Sequence, residues 1–258
     1  MKGLEGKKAL ILGVANQNSI AYSIAKSFFR EGAQLAFACA NDFLTEMVKL
    51  LAKEFNSEMV VKCDVTNEED ILRLKEYIKE KWGNFDILIH SIAFARKEDL
   101  KNRFLETSRE GFKIAMDISV YSLISLCREL LSLMNSGGSV LTLSFYGSQK
   151  VFPGYNVMGV AKAALESAVR YLAFDLGKEK IRVNCISPGP IKTLAASAIP
   201  NFEEFLEIHK KVSPLQENVG GEDVGELASF LVSDKAKSIT GQVIYVDAGY
   251  NVMGTFNR

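Results

Sequence analysis

Net charge is the first thing this chain lacks: 31 lysines and arginines offset 31 aspartates and glutamates over 258 residues. With an isoelectric point near 6.8, it carries no global footprint for nucleic acid or an anionic membrane. Cysteine is sparse. Cys39, Cys63, Cys127 and Cys185 are too far apart for a CxxC metal or redox motif and sit in apolar company, so they are expected as buried, reduced thiols. Long hydrophobic runs are missing too. Residues 118–127 form the longest uncharged apolar stretch, too short to span a bilayer, and the N-terminal residues show no signal-peptide core. A cytoplasmic protein without membrane or nucleic-acid partners is therefore expected. Histidine is limited to His90, expected as a satisfied core residue, and His209, expected to be solvated among lysines. No Ser-His-Asp set and no metal-ligand set can be assembled from these residues.

Hydrophobic residues make up 48% and charged residues 24%, near the average of soluble globular proteins. No repeat and no Pro/Gly/Ser-rich linker interrupts residues 1–258, which read as a single domain. Apolar, β-branched runs recur at 9–14, 35–38, 59–61, 87–89, 140–143, 181–186 and 243–246. Helical patterns fill the intervals at 20–31, 43–55, 68–82, 109–134, 156–176 and 224–232. Strands alternating with helices predict a parallel sheet of about seven strands, doubly wound in the Rossmann manner. The strands are apolar throughout, as expected when both faces are covered. Thr107 with Glu110 spells a capping box, and Gly32 and Gly177 stand where helices should end. Helices 109–134 and 156–176 are apolar on more than one face, which fits either a subunit interface or a thick core. Four of the five prolines fall between 188 and 214. That interval, 188–220, sits at the carboxyl end of a strand, where a substrate lid is expected, with a short helix near 202–211.

Ligands of such sheets bind outside the carboxyl ends of the strands. The first strand ends at Gly13, and Ser19-Ile20-Ala21 opens the next helix, a loop suited to presenting amides to a pyrophosphate. A lone glycine is a weak signal beside GxGxxG. The second strand runs out as Cys39-Ala40-Asn41-Asp42 with no cation before Lys49, which favours NADH over NADPH. The third ends in Asp64-Val65, either an adenine acceptor or a turn residue. The fourth ends in Ser91-Ile92-Ala93, small enough to admit a ribose. After the fifth comes Tyr155, seven residues before Lys162. On a continuous helix that spacing turns through about 700° and spans about 10 Å, which aligns the two side chains. Lys162 would then reach the cofactor ribose and favour ionisation of the Tyr155 phenol.

These residues resemble the short-chain dehydrogenase/reductase superfamily over nearly the whole chain, and within it the bacterial NADH-dependent enoyl-[acyl-carrier-protein] reductases. The resemblance rests on Gly13-x5-Ser-Ile-Ala, on Tyr155-Asn-Val-Met-Gly-Val-Ala-Lys162 in place of Tyr-x3-Lys, and on Gly189-Pro-Ile-Lys-Thr-Leu-Ala-Ala-Ser197. It implies that Gly13, Ser19, Ile20, Ala40, Asp64, Val65, Ile92, Lys162, Ile191, Lys192, Thr193, Leu194 and Ala195 hold NADH. It implies that Phe94, Ala95, Phe145, Tyr146, Met158, Ile199 and Phe202 lie against the substrate, and that Tyr155 and Lys162 are catalytic. The implied substrate is a trans-2-enoyl thioester on acyl carrier protein, and the implied assembly a homotetramer. Three positions depart from the pattern. Phe145 replaces a second tyrosine, with Tyr146 beside it. Glu203 and Glu204 stand where some members carry basic residues suited to an acidic carrier. Pro188 replaces an alanine. A related reductase acting on another enoyl or keto substrate, or a dinucleotide-binding protein without activity, stays open at this point.

Overall fold

A run of apolar residues buried on both faces makes each strand of the central sheet. In the computed structural model, which describes residues 3–194, 196, 199 and 202–254, these are β1 (Lys8–Leu12), β2 (Gln34–Cys39), β3 (Val60–Lys62), β4 (Phe85–His90), β5 (Met134–Leu143), β6 (Arg182–Pro188) and β7 (Val243–Val246). All pairings are parallel, in the order β3-β2-β1-β4-β5-β6-β7. The expected seven-stranded doubly wound sheet is the fold observed. One core layer packs α3 (Glu68–Trp82), α6 (Ser122–Leu130) and α7 (Asn156–Leu176) on one face. The other packs α1 (Ile20–Arg30), α2 (Asp42–Ala52) and α9 (Gly221–Val232). The chain order reverses between β1 and β4, opening a crevice there. At its floor Gly13 has φ +106°, and a Cβ on it would lie 2.0 Å from the Ser91 carbonyl oxygen. Only glycine lets these two strand ends approach so closely.

Several local expectations need correction. The run 109–134 is not one helix. It comprises α5 (Arg109–Met116), a π-helical turn at Asp117–Tyr121, α6, and a 3-10 turn at Leu131–Leu133. Serine hydroxyls compete with the backbone ladder there: Ser122 donates to the Ile118 carbonyl at 2.6 Å, and Ser119 accepts from the Phe94 amide at 3.1 Å. The N-cap of α5 is Ser108, which accepts from the Gly111 amide, because the Thr107 hydroxyl is spent on the Phe104 carbonyl. Gly32 follows α1 with φ +91° and Gly177 caps the end of α7, both as expected, although Gly177 is right-handed and the left-handed turn comes at Lys180, φ 63°. A further short helix, α4 (Lys97–Lys101), lies in an interval read as loop, and the lid carries α8 (Phe202–Val212). His90 is buried between Thr142 and Ser122, as expected. His209 is buried as well, not solvated. Its ring stacks on Tyr250 with centroids 4.9 Å apart, because lid helix α8 turns this face inward and its lysines outward.

Candidate active site

The crevice meets a helix end built for an anion. α1 begins with no acid in its first turn and no side-chain cap, since the Ser19 hydroxyl turns back to accept from the Ala15 and Asn16 amides. The first amides of α1 are left facing the crevice, a cradle that fits a dinucleotide pyrophosphate. At the end of β2, Ala40 is exposed, and Asn41 caps α2 through the Leu44 amide. Beside it the sequence missed a cation. Register pairs Cys39 with Lys62, whose ammonium lies 3.1 Å from the Asp42 carboxylate. Only the neighbouring strand brings Lys62 here, so no linear window around β2 reveals it. Asp64 accepts from the amide and hydroxyl of Thr66, the turn role considered above, while Val65 and Ile92 pack against the core.

At the other side of the crevice α7 carries the reactive pair. Tyr155 is its N-cap, and Asn156 has φ +40°, so the continuous-helix alignment of 155 with 162 does not hold through Asn156. What fixes Tyr155 is its surroundings. The Asn156 side chain donates through Nδ2 to the Asp99, Leu100 and Asn102 carbonyls, tying Tyr155 to the end of α4. On its ring side, the Phe145 ring stands edge-on with centroids 4.9 Å apart. Gly147 permits this packing, for a Cβ there would meet the Tyr155 ring at 2.5 Å. Lys162 is buried, and its ammonium donates to the Leu143 carbonyl at 2.7 Å. Two further N–H donors remain on that nitrogen.

Burial also decides the protonation states. It pushes the Tyr155 phenol well above its ordinary value, and the Glu166 charge adds to the rise. Both influences hold the proton on the hydroxyl, and the phenolate expected from a neighbouring Lys162 is not favoured here. Burial draws Lys162 down to about 8, opposed by Cys185 and Glu166. Glu166, one turn beyond Lys162 on α7, is itself buried and accepts from the Ser144 and Ser148 hydroxyls at 2.5 and 2.6 Å. Sequence reading passed over Glu166 because nothing in a helical pattern marks a carboxylate as inward-facing.

An aromatic cluster closes over this pair. Phe145 and Phe152 meet Phe205 of the lid helix at 6.0 and 5.1 Å between centroids, and Phe205 meets Phe202. Phe94 is half-exposed on the opposite wall, and Ser119 joins its backbone to the Met158 sulfur. Ala95 lies beside Phe94 against the core, and Ile199 is half-buried in the lid loop. Tyr146 faces away from Tyr155. Its hydroxyl donates to the Asn251 carbonyl at 3.0 Å, as a one-residue step along a strand end requires. Of the loop after β6, Ile191 packs on the core, Thr193 accepts from the Ala196 amide, Leu194 is exposed, and Lys192 pairs with Glu203 across the lid at 2.5 Å. Ala195 lies outside the described residues. The arrangement supplies a neutral O–H donor, a buried ammonium with spare donors and an apolar cover, which suits polarisation of a carbonyl oxygen next to a bound dinucleotide.

Comparison with known proteins agrees with this chemistry. A family model described as enoyl-(acyl carrier protein) reductase matches residues 13–251. The chain is 59% identical over 256 residues to an enoyl-[acyl-carrier-protein] reductase [NADH] of Aquifex aeolicus, covering 99% of this chain and 95% of that protein. The crystal structure of the Aquifex enzyme superposes with a TM-score of 0.96, covering 98% of this chain and 99% of that one. A Bacillus cereus enoyl-acyl carrier protein reductase with NADP+ and an indole naphthyridinone is 45% identical at a TM-score of 0.97, over 99% of this chain and 100% of that one. An Anaplasma phagocytophilum reductase in complex with NAD is 42% identical at 0.93, over 98% and 94%.

Proposed function

The chain belongs to the enoyl-(acyl carrier protein) reductase family, and from that membership we propose how its own residues carry the reaction. The activity is NADH-dependent reduction of enoyl-[acyl-carrier-protein], a step of bacterial fatty-acid elongation. When bound, NADH supplies a hydride for the β-carbon of the trans-2-enoyl thioester. The observation that carries the assignment of roles is Tyr155 packed edge-on against Phe145 under the aromatic cluster of the lid, with the buried Lys162 ammonium further along α7. Tyr155 donates a hydrogen bond to the thioester carbonyl oxygen as negative charge develops there. Lys162 spends one donor on Leu143 and offers the rest to the cofactor ribose. Gly13, Ser19 and Ile20 shape the pyrophosphate cradle. Ala40, Asp64, Val65 and Ile92 border the adenosine, and 191–195 cover the nicotinamide side. Phe94, Ala95, Met158, Ile199 and Phe202 line the acyl path with Phe145. Tyr146 supports the floor. Comparing an enoyl-carrier with the matching enoyl-CoA tests the substrate: the carrier thioester should give the higher kcat/KM, and a preference for neither over a keto substrate would reject the reading.

Cofactor preference follows from Asp42. A 2′-phosphate would meet this carboxylate, and Lys62 is already paired with it. NADH should bind at least about tenfold tighter than NADPH, about 1.4 kcal/mol, and Asp42→Asn should narrow the gap by freeing Lys62. A titration giving equal affinities in the parent would contradict this.

Phe145 leaves the site one hydroxyl short of the pattern the sequence resembles. Tyr146 is committed to Asn251, so it does not replace that hydroxyl. Phe145→Tyr should raise kcat/KM on an enoyl thioester about two- to tenfold, the worth of one neutral hydrogen bond. Tyr146→Phe should leave the chemistry unchanged. Steady-state kinetics giving the reverse order would overturn this account of the two positions.

Exposed Phe112 on α5, Tyr121 on the π-helical turn and Ile124 on α6, with Tyr171 and Phe174 on α7, support assembly into a homotetramer through these faces. No described helix is long and apolar enough to cross a membrane, and the four cysteines are buried and free. Both fit a cytoplasmic enzyme acting with its carrier protein.

A further inference from the structure

The two walls of the site differ in charge. On one side is the lid. The first two turns of α8 present Glu203, Glu204 and Glu207 to solvent and no cation, and the pairing with Lys192 neutralises only the first. On the other side is the segment from Arg96 to Arg103. Lys97, Lys101 and Arg103 are exposed there, and Arg96 is half-buried. Among the described residues none of these four is ion-paired. Against these four cations stand two exposed acids, Glu98 within the segment and Glu106, whose carboxylate accepts from the Arg103 amide; Asp99 is buried against α5 and accepts from the Ser108 amide. The segment is also anchored to the reacting centre. Its carbonyls at 99, 100 and 102 all accept from the side chain of Asn156, the residue next to Tyr155, and Phe94 lies two residues before it on the substrate side. In a chain with no net charge, a local cluster of this kind dominates the field within about one Debye length, about 8 Å at physiological salt.

We propose that Arg96, Lys97, Lys101 and Arg103 form the docking surface for the acidic carrier protein, which approaches over the α4 wall and not over the lid. This rests on the carrier-thioester reading above. A thioester arm delivered by a carrier is joined to it through a phosphodiester. The partner therefore brings one fixed anion at the mouth of the site in addition to its own carboxylates. The α4 wall complements those charges. The lid repels them, which steers the encounter to one side and leaves α8 free to cover the acyl chain.

The test compares two trans-2-enoyl thioesters of the same acyl chain, one on the carrier protein and one on N-acetylcysteamine, which has neither protein nor phosphate. Lys97→Glu with Lys101→Glu should lower kcat/KM on the carrier substrate at least about tenfold, mainly through KM, and leave the small thioester within about twofold. The milder pair Lys97→Gln with Lys101→Gln should give a smaller loss in the same direction, and it serves if charge reversal disturbs folding. Added salt should depress the parent's carrier rate and leave the reversed variant flat. A silent charge reversal on the carrier substrate would overturn the proposal, as would equal losses on both thioesters. So would a larger gain from Glu204→Lys than the loss from reversing the α4 wall, since that outcome puts the carrier on the lid. A parent inactive on both thioesters would overturn the reductase reading itself, and the docking surface with it.

Discussion

Tyr155→Phe should cost kcat and spare the cofactor. The substitution keeps the ring, its edge-on contact with Phe145 and its place over Gly147, and removes only the hydroxyl. Burial holds that hydroxyl protonated, so it can act as a donor to an oxygen that gains charge as the hydride arrives. Interactions of that type are made in the transition state far more than in the ground state. Losing one such donor costs about hundredfold in kcat, while the NADH dissociation constant should move less than about twofold. A variant with unchanged turnover, or one whose defect lies in NADH affinity, would remove Tyr155 from the role given to it.

Lys162→Met should do the opposite. The methionine keeps the apolar stem that α7 buries and deletes the ammonium. A charge-assisted hydrogen bond is worth about 1.5–3 kcal/mol, so NADH should bind about ten- to a hundredfold more weakly. Protonation gives a second readout. Burial brings Lys162 down to about 8, so the free enzyme loses this charge as pH rises through that value. NADH affinity should therefore fall from about pH 8 upward in the parent and be flat there in the variant. The same shift bears on stability. The unfolded chain holds the proton up to its ordinary lysine value, so between about 8 and that value the unfolded state binds more protons and stability rises with pH. Affinity and stability thus move in opposite directions over one window. Affinity independent of pH in the parent, or a variant that loses only turnover, would break the assignment of Lys162 to the ribose.

The sheet was legible because strands buried on both faces read as unbroken apolar runs: residues 243–246 correspond to β7, and Leu35–Ala38 lies within β2. Long helices with simple periodicity were legible too, α3 and α7 among them. Where serine hydroxyls compete with the backbone, as at Ser119 and Ser122, a single helical pattern concealed a π-helical turn. Pairings across strands were out of reach, so Lys62 escaped notice until register set it beside Asp42. Desolvation was equally invisible. The spacing of Tyr155 and Lys162 suggested an ammonium easing a proton away, whereas burial holds the proton on the phenol and weakens the ammonium's own hold. His209 shows the same limit, since its flanking lysines point outward while the ring turns in against Tyr250.

The most direct test of the whole account is a product analysis with NADH deuterated at nicotinamide C4 on the transferred face, a trans-2-enoyl-carrier thioester and a 3-keto-carrier thioester offered in parallel. One NADH should be consumed per saturated acyl thioester formed, with the label on its β-carbon, and the keto substrate should show no comparable turnover. Reduction of the keto thioester to a hydroxyacyl product, with the enoyl thioester returned unchanged, would contradict it.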